Sequence, residues 1–259
     1  MINSMDIDMQ SLVNAARAGG DIVKDYFGQA LQAEEKSTAG DLRTKADIES
    51  EQAILAVLKE AFPTFNIYAE ESGTIDNNSE YTLVIDPLDG TSNFVLGIPD
   101  FAISIGVLED DEAIIGVVYN PILDQLYTAM KDKGAFLNGK RIHVNEEADI
   151  TRATVSYTCG YNTIPEYTEN TIRKLRDTKV KRIIDHWAPA YDYCLLASGR
   201  LEAVISKEGD LEDYVAAKVL VLEAGGRITN FKGKLIDGRD ADFVATNGAI
   251  HDNLLATLN

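Results

Sequence analysis

Two cysteines in 259 residues, Cys159 and Cys194, are too few for a disulfide framework or a thiolate metal site. Both are expected to be reduced, buried thiols of a cytosolic protein. Three histidines, His143, His186 and His251, have no partners at ligand spacing and are assigned structural or exposed places. No apolar run approaches the roughly 20 residues that a membrane span needs, so no membrane partner is expected. The opening MINSMDIDMQ is acidic and lacks the basic and apolar regions of a signal peptide, which points to the cytoplasm. Positive charge is scarce as well: 24 Lys and Arg face 42 Asp and Glu, a formal net charge of −18. Phosphate backbones are bound by basic stripes, so nucleic acid is excluded as a partner. An anionic substrate would have to be attracted by bound divalent cations, which require clustered carboxylates.

What is present reads as one large α/β unit or two small domains sharing an interface. The spacing predicts helices over Met5–Phe27 and Ala46–Phe62, joined by a polar segment, QAEEKSTAGDLRT, read as a mobile loop. Strands are predicted over Asn66–Ala69, Tyr81–Ile85, Phe101–Leu108, Ala113–Tyr119, Gln125–Met130 and Gly134–Leu137, the last four as two hairpins. After about residue 150 the pattern alternates. It gives strands Thr154–Thr158, Lys181–Ile184, Leu201–Ile205 and Phe243–Thr246, with helices Pro165–Arg176, Pro189–Ser198, Glu212–Ala224 and Ala249–Leu258. Alternation implies layered α/β packing, with an α+β half over residues 1–150 and an α/β half over 151–259.

The informative stretch is IDPLDGTSNF, Ile85 to Phe94. Asp86 closes the apolar strand, Pro87 denies it a ladder donor, and Asp89 follows in a turn. Gly90 permits close backbone approach, and Thr91 and Ser92 read as the start of a helix whose free N–H groups attract an anion. Carboxylates on one side and helix-start amides on the other form a slot for a metal-bound phosphate. Glu70 and Glu71 also end a strand, in AEESG, and Asp213 opens a helix, where it could simply complement the helix dipole. Thr44 and Asp47 have capping-box spacing.

AEESG, DPLDGTSNF with GIPDFAISIG after it, Asp213 ahead of EAGG, DLRTKAD and GAFLNGKRIHV together resemble the inositol monophosphatase family of magnesium-dependent, lithium-sensitive phosphatases, which includes fructose-1,6-bisphosphatase. The resemblance covers about residues 10 to 250. It implies a layered αβαβα sandwich, a homodimer, and two or three Mg²⁺ per site. Glu70, Asp86 and the carbonyl of Leu88 would bind one ion, and Asp86, Asp89 and Asp213 a second; Glu70 would reach a third through water. Thr91, hydrogen-bonded to Asp47, would deprotonate the attacking water, making Glu70, Thr91 and Asp47 the catalytic set. Gly90 and Thr91 amides would hold the phosphate, and Lys36 matches the family's loop lysine. No covalent phosphoenzyme is expected. A haloacid-dehalogenase motif is excluded because Pro87 stands where its nucleophile would be, and a calcium loop because its late glutamate is lacking.

The alcohol-recognising half departs from the family pattern. The usual Trp-Asp is Glu212-Asp213, and the Gly-Ser/Thr-Ala-Ala stretch is Trp187-Ala188-Pro189-Ala190. The acid expected to contact a sugar hydroxyl is Ser206, with Glu208 nearby but out of register. Asp89, Trp187, Ala188, Ser206 and Glu208 are the candidate substrate contacts. The expected substrate is a small phosphorylated metabolite, with inositol monophosphate first. Histidinol phosphate, 3′-phosphoadenosine 5′-phosphate, NADP and fructose 1,6-bisphosphate are the alternatives, and a degenerate metal-binding regulatory protein is the non-enzymatic one.

Overall fold

The computed structural model describes residues 7–30, 32–36, 38 and 40–259. Helix α1 (Met9–Tyr26) starts where Asp8 accepts the amides of Gln10 and Ser11, so Ile7 and Asp8, placed in the predicted helix, stand before it. Met5 and Asp6 lie outside the described residues. The predicted loop 32–44 contains strands β1 (Glu34–Glu35) and β2 (Leu42–Arg43), paired antiparallel as a small hairpin that carries Lys36. Ser37 and Ala39, in that segment, are outside the described residues. Helix α2 (Lys45–Ala61) opens on a complete Thr44–Asp47 capping box.

There follow β3 (Asn66–Ala69), β4 (Gly73–Ile75), β5 (Tyr81–Asp89), α3 (Thr91–Leu96), β6 (Ala102–Glu109), β7 (Glu112–Asn120), β8 (Gln125–Met130), β9 (Gly134–Leu137) and β10 (Lys140–Ile142). These strands form an eight-stranded sheet in the order β10-β9-β8-β7-β6-β5-β3-β4. Only β3 and β5 pair in parallel within it. After a 3-10 turn come β11 (Thr154–Cys159), α4 (Pro165–Asp177), β12 (Arg182–Ile184), α5 (Pro189–Ala197), β13 (Ala203–Lys207), α6 (Leu211–Glu223), β14 (Arg227–Thr229), β15 (Phe243–Thr246) and α7 (His251–Leu258). Their sheet has the order β12-β11-β13-β15-β14.

Side-chain alternation assigns the layers. Leu83 and Ile85 of β5 pack with Leu12, Ile54 and Leu58 of α1 and α2. Val84, between them, points the other way into a core with Leu196 of α5, Val215 of α6 and Phe243 of the second sheet. Val155 and Ile205 on the far face of that sheet meet Leu175 of α4 and Leu254 of α7. The result is an αβαβα sandwich. Both sheets are covered on both faces, which explains why β5, β6 and β7 read as nearly continuous apolar runs.

One contact between layers sets the site. Gly106 and Gly116 are cross-strand partners in β6 and β7. A Cβ on Gly106 would lie 2.5 Å from Val215, and one on Gly116 2.2 Å from the carbonyl oxygen of Ala216. Only a pair of glycines lets α6 lie this close to the sheet, and that approach brings Asp213, in the first turn of α6, over the end of β5.

Candidate active site

The predicted end of the strand at Asp86 is corrected by the register. Asp86 pairs with Ser104 and Asp89 with Ala102, so β5 continues through a β-bulge. Pro87 has no N–H to give, which suits a position that leaves the ladder. Its carbonyl accepts Ser50 Oγ at 2.9 Å, and the Leu88 amide turns back onto Asp86 Oδ1 at 2.8 Å. The bulge therefore places Asp86 and Asp89 together at one end of the sheet. Gly90 follows at φ +90°, and a Cβ there would sit 3.0 Å from both Ala188 Cβ and the Asp100 carbonyl. Glycine is required twice over, by conformation and by space. Helix α3 then begins at Thr91 with no side chain capping its first amides.

Asp86, Asp89 and Asp213 each offer one carboxylate oxygen, and the three oxygens lie within 4.8 Å of one another. Burial and mutual repulsion push all three carboxyls well above their ordinary range. Glu70 extends from the end of β3. Burial raises it to about 7, opposed by Lys36, whose Nζ lies 2.5 Å from Glu70 Oε1. Glu70 Oε2 is buried without a partner. A cluster of hard carboxylate oxygens whose charges repel, with one oxygen left unsatisfied, fits a divalent hard cation. Leu88 lines the same cavity, and its carbonyl oxygen lies 3.0 Å from Thr91 Oγ1.

Asp47 supports the other side. Oδ2 accepts the Thr44 amide at 2.8 Å and the Thr44 hydroxyl at 2.6 Å, while Oδ1 lies 2.8 Å from Thr91 Oγ1. The same carboxylate is thus both helix cap and partner of Thr91. Burial raises its pKa above the usual carboxylate value, with the Thr44 and Thr91 bonds working against that rise.

Lys36 contacts Glu70 and Glu71, each at 2.5 Å. Burial would lower this ammonium, and the two carboxylates more than reverse it, so it is held far into the protonated range.

The cavity over these residues measures about 470 Å³. Trp187 lines it, 55 % exposed, at φ +58°. That backbone suits glycine and costs an L-residue about 1–2 kcal/mol. Ala188 lies behind it, buried against Gly90. Ser206 lines the cavity, and its hydroxyl donates to the Ala241 carbonyl at 2.9 Å. Glu208 is not among the lining residues; its carboxylate lies 3.1 Å from Lys207 Nζ. Glu212, which stands where the family's Trp is expected, lines the cavity, as do Asp185, Asp210 and Tyr161, which the sequence pattern does not mark. Asp210 and Glu212 flank the start of α6, where acids ordinarily serve the helix dipole, and Asp185 carries no local pattern.

Cys194 is buried as expected, but Cys159 is exposed, because it ends β11 at the cavity edge. His251 is buried between the hydroxyls of Thr229 and Thr246. His186 Nδ1 lies 2.8 Å from Asp192 Oδ1, and its carbonyl accepts the Asn93 side-chain amide. No described helix is long and apolar enough to cross a membrane.

The model of the inositol monophosphatase family matches residues 7–259. Inositol monophosphatase 2 of Solanum lycopersicum is 34 % identical over 95 % of this chain and 96 % of its own length. Fructose-1,6-bisphosphatase/inositol-1-monophosphatase of Aquifex aeolicus is 35 % identical over 93 % of this chain and 91 % of its own. Among solved structures, the extragenic suppressor protein suhB of Bartonella henselae superposes with a TM-score of 0.91 at 30 % identity, covering 97 % of this chain and 98 % of that one.

Proposed function

Because the chain belongs to the inositol monophosphatase family, a phosphatase family, we propose that it hydrolyses a small phosphomonoester with Mg²⁺ held by Glu70, Asp86, Asp89, Asp213 and the Leu88 carbonyl. The observation that carries this reading is the meeting of the Asp86, Asp89 and Asp213 carboxylates within 4.8 Å beside the uncapped start of α3. When bound, divalent cations neutralise phosphoryl charge and acidify water.

The chain's own groups do the rest. The amides of Gly90 and Thr91 hold phosphoryl oxygens, since no side chain competes for the α3 N-terminus. Thr91 Oγ1 donates towards Asp47 Oδ1, which leaves its lone pairs to accept a proton from water. As that proton arrives, the Thr91 proton passes to Asp47, whose burial favours protonation. Lys36 offsets part of the charge on Glu70 and Glu71.

The names of the relatives support inositol monophosphate, then fructose 1,6-bisphosphate, as first substrates to try. Trp187 and Ser206 favour a second reading, an alcohol other than inositol, of which histidinol phosphate is the nearest example. A homodimer and a cytoplasmic location complete the proposal. Phosphate release from these three esters, with Mg²⁺ and after chelation, tests it. Release in Mg²⁺ that stops on chelation supports the reading; no release from any ester rejects it.

A further inference from the structure

The acids of the cluster are not held alike. The Leu88 amide donates to Asp86 Oδ1, the Tyr191 amide lies 3.3 Å from Asp89 Oδ2, and Lys36 engages Glu70. Among the described residues no hydrogen-bond donor or cation reaches the Asp213 carboxylate; other acids surround it, Asp89 and Glu212 foremost. Its place is therefore set by α6 alone. A ligand that must be right to about 0.5 Å inherits every shift and turn of that helix.

Two faces of α6 are gripped. Towards β6 and β7, Gly106 and Gly116 let backbone lie on backbone, which fixes how near the helix sits without a side chain there to stop it sliding. On another face Tyr214 and Lys218, both buried and one turn apart, reach the loop 237–240. Lys218 Nζ donates to the carbonyls of Asp240 at 2.5 Å, Asp237 at 3.1 Å and Gly238 at 3.3 Å. It lies 4.2 Å from the centre of the Tyr214 ring and 4.6 Å from that of Phe243. The Tyr214 hydroxyl donates to the remaining carbonyl, that of Arg239, at 2.7 Å. Burial draws the Lys218 pKa down to about 7, against the pull of Asp240 and Asp237, and both the ammonium and the amine have N–H groups to give.

The loop itself is fixed. Asp237 Oδ1 accepts the amides of Arg239 and Asp240. The Gly238 amide donates to the Asp111 carbonyl at 2.7 Å, and Arg239 Nε lies 2.6 Å from Asp111 Oδ1. Asp111 is in the turn between β6 and β7, the strands that carry Gly106 and Gly116. The frame thus closes on itself, from sheet to α6 to loop and back to the sheet. Lys218 is the side chain that ties most of the loop to the helix, and it is not among the residues lining the carboxylate cavity.

We propose that Lys218 is a positioning residue for the metal site: its grip on the 237–240 carbonyls fixes α6, and through α6 the Asp213 carboxylate. The inference rests on the reading of Asp213 as a cation ligand and adds the residue that places it.

The test titrates the full chain with Mn²⁺ alone, reading free Mn²⁺ by electron paramagnetic resonance, with circular dichroism to confirm that each variant is folded. Asp213→Asn identifies the binding step that needs this carboxylate. Lys218→Met is expected to weaken that same step about tenfold, the lower end of what loss of an outer support costs a metal site. Steps that do not need Asp213 are expected to stay within about twofold, and adding Lys218→Met to Asp213→Asn is expected to change what remains by no more than that. Tyr214→Phe, which removes a single hydroxyl, is expected to weaken the Asp213 step a few-fold and is read in the same way should Lys218→Met not fold. Unchanged Mn²⁺ binding in the clamp variants would overturn the proposal and leave the metal reading intact. Weakening of every step alike, or an undiminished effect in the Asp213→Asn background, would overturn it too, since Lys218 would then act on the fold at large. No uptake of Mn²⁺ by the unaltered chain would defeat the metal reading and this inference with it.

Discussion

Thr91 Oγ1 lies 2.8 Å from Asp47 Oδ1, joining the start of α3 to the start of α2 across 44 residues of chain. The same aspartate closes the Thr44 capping box, so stability and catalysis converge on one carboxylate. They can be separated. Thr91→Val removes the hydroxyl and not the cap; it is expected to lower kcat about 10²-fold or more with little change in melting temperature. Asp47→Asn is expected to lower both, the melt by several degrees for about 1 kcal/mol of capping. Thr91→Ser should retain most of the rate. A Thr91→Val enzyme of near-normal kcat would confine Asp47 to capping.

Stability without metal should fall as pH rises. Asp86, Asp89 and Asp213 sit well above their ordinary values, and Glu70 is raised to about 7, by burial and mutual repulsion. The folded state therefore holds protons that the unfolded state releases near pH 4. The stabilisation is complete below that value and is lost as pH climbs through 7. Melting curves of chelated protein from pH 4.5 to 8 should decline steadily, and saturating Mg²⁺ should flatten them. A chelated protein that gains stability over the same range would contradict the assignment.

Lys36 and a cation compete for Glu70. With Nζ 2.5 Å from Glu70 Oε1, Lys36→Met frees a carboxylate oxygen and removes a repelling charge. The Mg²⁺ concentration giving half-maximal thermal stabilisation is expected to fall several-fold, read by melting titration. A rise would assign Lys36 to phosphate rather than to Glu70.

Gly90→Ala should be costly in two ways. The φ of +90° strains any L-residue, and the added Cβ would meet Ala188 Cβ and the Asp100 carbonyl at 3.0 Å. A loss of about 1–2 kcal/mol from the backbone alone is expected, with more from displacement of Ala188. Denaturant unfolding measures it; an unchanged midpoint would show that the turn relaxes freely.

The sequence was legible where one local rule decides. Strands Asn66–Ala69, Gln125–Met130, Gly134–Leu137 and Phe243–Thr246 have their predicted bounds. It was less legible where pairing across the fold decides. Nothing local to Pro87 says that the strand bulges and resumes at Asp89 opposite Ala102. The two-residue strands Glu34–Glu35 and Leu42–Arg43 are too short and polar for periodicity to reveal, as is Arg227–Thr229. The phosphate half of the site sits in contiguous motifs and could be read; the alcohol half is gathered from separate segments. Asp185, Tyr161 and Glu212 line one cavity only because the segment after β12, the loop after β11 and the first turn of α6 converge on it.

The central claim is that Asp86, Asp89, Asp213 and Glu70 cage hard divalent cations. Anomalous diffraction from a crystal soaked in Mn²⁺ tests it most directly. One or more peaks within coordination distance of Asp86, Asp89 and Asp213 oxygens, with Glu70 Oε2 turned onto metal, is the expected result. A map with no peak among these carboxylates, at a Mn²⁺ concentration that supports phosphate release, would contradict it.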